Sequence, residues 1–100
     1  MIRHIVLFKF RETDDKNNLE KLRTAMKQKL DALPAVIPVI RSFETGVNIH
    51  SAPGAWDLVL VSEFDSMETL EKYRNHPAHV EVVKFFRTVK DSSASVDYEY

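Results

Sequence analysis

The chain contains no cysteine, which excludes disulfides, zinc–thiolate sites and thiol nucleophiles. Glycine is almost as scarce: Gly46 and Gly54 are the only two, too few and too far apart for a phosphate-cradling loop. There is no G-x-S-x-G, and the serines lie mainly in loops and the tail, so a Ser-His-Asp nucleophile has no support. Apolar runs are a handful of residues long, far short of the roughly 20 that a membrane span requires. The opening stretch M-I-R-H-I-V-L-F-K-F has a basic residue and an apolar run. It lacks a small-residue cleavage site, and Lys9 and Arg11 interrupt the run, so it reads as a strand and not as a signal peptide. The cytoplasm is the expected compartment, with no membrane partner.

An excess of charge of either sign is also lacking. Fourteen basic residues face 15 acidic ones for a net charge of −1, and the basic residues are spread along the chain. A nucleic-acid module gathers Lys and Arg into a stripe, so no nucleic-acid partner is expected. What remains, 44% apolar and 29% charged in 100 residues, suits one soluble domain spanning 1–100.

Periodicity divides that domain. Ile2, His4, Val6, Phe8 and Phe10 alternate on one strand face, with Arg3, Ile5, Leu7 and Lys9 on the other. From about residue 14 the spacing becomes helical, with Leu19, Leu22, Met26, Leu30 and Leu33 in one stripe that Pro34 ends. Residues 39–49 predict a second strand with a bulge or bend at Gly46. Residues 50–55 are turn chemistry, and 57–64 predict a third strand antiparallel to the second. Asp65 and Glu68 have the spacing of a capping box, opening a helix through Tyr73. Pro77 suits the first turn of another helix reaching about residue 89, and the tail alternates with Ala94, Val96, Tyr98 and Tyr100 on one face.

The order β-α-β-β-α-β is the ferredoxin-like α+β arrangement, an antiparallel sheet with its helices on one face. Leu58 to Val61 is nevertheless continuously apolar, and Ile5 and Leu7 back onto Val6 and Phe8. Both sheet faces therefore need cover, and a second copy packing sheet against sheet provides it. A homodimer through the face holding Ile5 and Leu7 is the expected state.

Four segments, I-R-H-I-V-L-F-K-F (2–10), R-S-F-E-T-G (41–46), W-D-L-V-L-V-S-E-F (56–64) and Y-R-N-H-P-A-H-V (73–80), together resemble the stress-responsive A/B barrel (Dabb) family of the dimeric α+β barrel superfamily. The likeness covers essentially the whole chain in order and spacing. It implies a homodimeric barrel with a pocket between sheet and helices in each subunit, but it implies no single reaction. A plant polyketide cyclase of the family performs an intramolecular aldol condensation. Its first-strand histidine falls on His4, its helix tyrosine on Tyr73 and its catalytic helix histidine on His79. A tyrosine and a histidine of its pocket fall instead on Met26 and Leu58, so the acid/base core is retained and the substrate-specific lining is not.

Each of these residues also has a structural reading. His4 faces the helices, either as a buried histidine bonded to a carbonyl or as an acid/base group beside His79. His79 lies in the first turn after Pro77, where the helix dipole favours neutral imidazole, the form that takes a proton from a carbon acid; the alternative is packing or capping. Tyr73 is either an oxyanion donor or a half-buried core tyrosine. His76 is expected to satisfy backbone groups at the helix start, with ligand contact as the sharper reading. Trp56 either plugs the mouth of the core or walls a ligand pocket, and His50 belongs to solvent. His4, His76 and His79 have no carboxylate clearly placed among them, so no metal and no cofactor is expected.

Two functions follow. One is a cofactor-independent acid/base enzyme on a small carbonyl compound, a cyclase or isomerase. The other is a non-catalytic dimeric protein of small-ligand binding or stress response. Cofactor-free oxygenation, as in sister families, rests on fold analogy alone. Whether His4, Tyr73 and His79 meet at an open cavity separates the first two.

Overall fold

A computed structural model describes residues 1–11 and 16–100. Strand β1 (Ile2–Phe10) leads to helix α1 (Lys16–Asp31) and a short 3-10 turn (Leu33–Ala35). Strands β2 (Ser42–Val47) and β3 (Leu58–Phe64) follow, then helices α2 (Met67–Asn75) and α3 (Pro77–Val89), and strand β4 (Lys90–Glu99). The expected start of α1 near residue 14 lies outside the described residues. The sheet runs β2-β3-β1-β4 with every pair antiparallel, the ferredoxin-like α+β arrangement. Among the described residues, no helix is long and apolar enough to cross a membrane.

The alternation in β1 and β3 sorts the two faces. Ile2, His4, Phe8 and Phe10 are buried on the helix side, with Leu58, Leu60, Ser62 and Phe64 from β3. Met26 and Leu30 of α1, Leu70 and Tyr73 of α2, and Val82 and Phe86 of α3 close over them. Phe86 meets Phe8 edge-on at 4.7 Å between centroids, a geometry worth roughly 0.5–1.5 kcal/mol beyond the area it buries. On the outer face, cross-strand pairing sets Ile5 between Val61 and Val96, and Leu7 between Val59 and Ala94. Val96 is left 59% exposed, with none of the described residues covering it.

Two local expectations are corrected. Gly46 makes no bulge: β2 and β3 pair in unbroken register, with Gly46 opposite Val59. A Cβ there would come within 3.3 Å of Val59 Cγ1, so close approach is what the small residue serves. The irregularity lies between Lys9 and Phe10, against β4. The capping box of α2 is Ser66 with Thr69, one residue later than Asp65 with Glu68. Asp65 is instead held by the guanidinium of Arg41, at 2.9 and 2.8 Å.

Candidate functional site

The break between α2 and α3 sets the site. His76 ends α2 in extended conformation, and Pro77 begins α3 where no N–H is needed. The His76 ring reaches forward: its Nδ1 accepts the Ala78 N–H at 3.1 Å. The His79 ring reaches back: its Nδ1 lies 2.9 Å from the carbonyl oxygen of Arg74 in the last turn of α2. Each histidine thus satisfies an end group of a helix, His76 at the start of α3 and His79 at the close of α2. A carbonyl can only accept, so Nδ1 of His79 carries the hydrogen and Nε2 is the basic nitrogen.

Beside it, the Tyr73 and His79 rings lie 4.4 Å apart between centroids. Tyr73 is also packed by Phe64 at 5.1 Å and by His4 at 6.2 Å. Only 1% of Tyr73 is exposed, and burial pushes its phenol well above the ordinary range, so it is a neutral donor. Its hydroxyl has no hydrogen-bond partner among the described residues, yet it is not sealed from the space beside it. Burial lowers the pKa of His79 most; the bond to Arg74 opposes this, and electrostatic repulsion from the neighbouring His4 and Arg74 side chains reinforces it. The direction is that expected of a helix start, but desolvation is its main cause.

His4 enters from the sheet. Strand alternation turns it toward the helices, and register places it opposite Asp97 of β4. His4 Nδ1 bonds Asp97 Oδ1, and Asp97 Oδ2 accepts from Arg74 Nη2 at 2.6 Å. Desolvation works to raise the Asp97 pKa, but the bonds and charges of His4 and Arg74 outweigh it and hold the carboxyl below its usual range. Arg74 therefore reaches both imidazoles, His4 through Asp97 and His79 through its own carbonyl.

These groups border a cavity of about 400 Å³ between sheet and helices, lined by His4, Tyr73 and His79 and walled by apolar side chains of β1, α1 and α3. The structure brings those three expected residues together. His76 does not line this cavity, because its ring nitrogen is committed to the Ala78 N–H. Trp56 does not line it either; half-buried, it borders a separate hollow with Leu7, Leu58 and Val59. The reason is local: Asp57 and Leu58 are both buried, so the alternation skips a step at the entrance to β3. His50 is exposed. Among the described residues, no three His, Asp or Glu side chains converge as metal ligands would.

Met26 lines the cavity and Leu58 packs in the core, so neither position brings a further polar group to the reacting end. Asp97 and Arg74 were not foreseen as parts of the site. Alternation puts Asp97 on the face opposite Val96 and Tyr98, which is a usable signal, but only the β1–β4 register sets it against His4.

A second buried ionic cluster lies at the other end of the sheet. Arg23 donates to Asp57 Oδ1 at 3.1 and 2.6 Å, and Asp57 Oδ2 accepts the Phe10 N–H at 2.8 Å. It ties α1 to the mouth of the β2–β3 connection.

Comparison with known proteins fits this geometry. The family model described as the stress responsive A/B barrel domain matches residues 2–100. An uncharacterized protein of Streptomyces coelicolor is 33% identical over 100 residues, covering all of both chains. A dimeric protein of unknown function and ferredoxin-like fold from Bacteroides fragilis superposes with a TM-score of 0.88 at 40% identity, over 99% of this chain and 95% of that one. A dimeric ferredoxin-like protein from Thermobifida fusca gives 0.81 at 25% identity, over 99% and 90%.

Proposed function

The chain belongs to the stress responsive A/B barrel domain family, and from that premise we propose that it is a cofactor-independent acid/base enzyme acting on a small carbonyl compound, as a cyclase or isomerase. One observation carries the reading: His4, Tyr73 and His79 border one open cavity of about 400 Å³. Three chemistry-bearing side chains used only for packing would leave no such space between them. The neutral Nε2 of His79 takes a proton from the carbon next to a carbonyl, and the electron pair moves onto the carbonyl oxygen. The Tyr73 hydroxyl donates to that oxygen as charge develops. The enolate carbon then attacks a second carbonyl of the same molecule, or regains a proton from His79 at another position. His4, oriented through Nδ1 by Asp97, presents Nε2 as the second proton carrier. We infer a homodimer joined through the outer face, in line with the dimeric relatives of Bacteroides fragilis and Thermobifida fusca.

The test is deuterium uptake at the α-carbon of neutral β-diketones and β-keto esters in heavy water, followed by proton NMR. The wild type should exceed buffer, and His79→Ala and Tyr73→Phe should fall to the buffer rate. Uptake no faster than buffer across the panel would favour the second reading, a non-catalytic stress-response or ligand-binding protein, which the family's description supports.

A further inference from the structure

The reacting groups sit at one end of the cavity; the other end has a different chemistry. On α3, His79, Val83 and Arg87 recur at intervals of four residues and all line the cavity. Arg87 thus stands about 12 Å along the helix axis from His79, two turns further on. Ser93 and Ser95 of β4 line the cavity as well. Among the described residues none of these three side chains has a hydrogen bond or ion pair of its own. The other arginine of the lining differs: Arg74 is neutralised by Glu71 at 2.7 Å and Asp97 at 2.6 Å. No aspartate or glutamate lines the cavity among the described residues. Among the described residues, the lining therefore has one arginine without an ionic partner, exposed at the rim and set apart from the acid/base groups by an apolar wall of Val6, Phe8, Met26, Leu30, Val82 and Phe86.

We propose that Arg87, with the hydroxyls of Ser93 and Ser95, is the specificity-determining group of this cavity and selects an elongated carbonyl compound bearing one carboxylate at the end remote from its reacting carbon. This rests on the cavity being the functional site. A guanidinium is planar and forked, which matches a carboxylate, and a cation without a partner among the described residues suits a monoanion. Like-charge carboxylates are absent from the lining, so nothing there opposes entry of an anion.

Phenylbutyrate and its uncharged counterpart phenylbutanol are suitable probes, with binding followed at neutral pH by calorimetry and by amide NMR shifts. Arg87, Ser93 and Ser95 are exposed at the mouth of the cavity, so the acid should bind the wild type about two- to fivefold more tightly than the alcohol, with the preference shrinking as salt is added. Arg87→Gln should bring the two affinities together without altering binding of the alcohol, Arg87→Lys should retain part of the preference, and Arg87→Glu should reverse it. Equal affinity for acid and alcohol in the wild type would overturn the anion preference while leaving the cavity as a binding site. A preference that persists in Arg87→Gln would remove Arg87 from the role. Failure of both probes to bind would overturn this inference together with the reading of the cavity on which it rests.

Discussion

Nδ1 of His79 donates to the carbonyl oxygen of Arg74 at 2.9 Å, across the break between α2 and α3. That bond ties the two helices and at the same time decides which imidazole nitrogen can act as a base. His76, three residues earlier, spends its Nδ1 on the Ala78 N–H. The two histidines of Y-R-N-H-P-A-H-V thus divide into one that starts a helix and one that also lines a cavity.

Substitution should separate them. His76→Ala removes a cap and should cost about 0.5–2 kcal/mol in urea unfolding, with deuterium exchange per folded molecule retained. His79→Ala removes one neutral hydrogen bond, about 0.5–1.5 kcal/mol, and should abolish exchange. Exchange that survives in His79→Ala while disappearing in His76→Ala would exchange the two roles.

Acid should destabilise the fold through His79. Its folded pKa lies below the ordinary 6.5, so between the two values the unfolded chain binds more protons than the folded one. Stability then rises with pH in that window and is lost as pH falls from about 6.5 through the folded value. Asp97, held below 3.8, adds a further loss at more acid pH, below its unfolded value. Denaturant midpoints across pH 4–8 should fall on acidification, and His79→Asn should flatten the upper part of that fall. An unchanged slope in the variant would assign the acid loss to other groups.

The Arg23–Asp57 cluster is structural. Arg23 is 9% exposed, so Asp57→Ala leaves its buried charge to Glu20 alone and orphans the Phe10 N–H. The expected loss is about 3–5 kcal/mol, read from the urea midpoint. A loss below about 1 kcal/mol, the worth of a surface pair, would mean that water reaches the cluster.

The outer face should hold two chains together. Ile5→Asp places a charge between Val61 and Val96, where a partner's sheet would exclude water. Light scattering should find a dimer for the wild type and a monomer or an unfolded chain for the variant. A stable dimer of Ile5→Asp would move the interface elsewhere.

Much of this was legible in the residues because strand and helix periods are strong signals when both partners of a pair obey them. β1 and β3 alternate cleanly, and α1 carries its stripe, so the element order and the two sheet faces follow from spacing alone. Pro77 marks the helix break and so brings His79 toward Tyr73. The failures occurred where a side chain from a distant segment competes. Asp65 looked like a cap until Arg41 took its carboxylate, and Ser66 then capped the helix. Trp56 lies beside a hollow apart from the cavity, next to Asp57, which turns inward to meet Arg23. Asp97 was overlooked because its partner, His4, is 93 residues away, and only strand register joins them.

The chemistry rests on His79 as a neutral imidazole with its basic nitrogen at Nε2. Long-range proton–nitrogen NMR of a sample labelled at histidine nitrogen reads this directly, because protonated and unprotonated ring nitrogens resonate far apart. The expected spectrum has the proton on Nδ1 of His79 and an unprotonated Nε2 at neutral pH, with a pKa below that of an exposed histidine. A proton on Nε2 with Nδ1 bare, or a doubly protonated ring at pH 7, would contradict it.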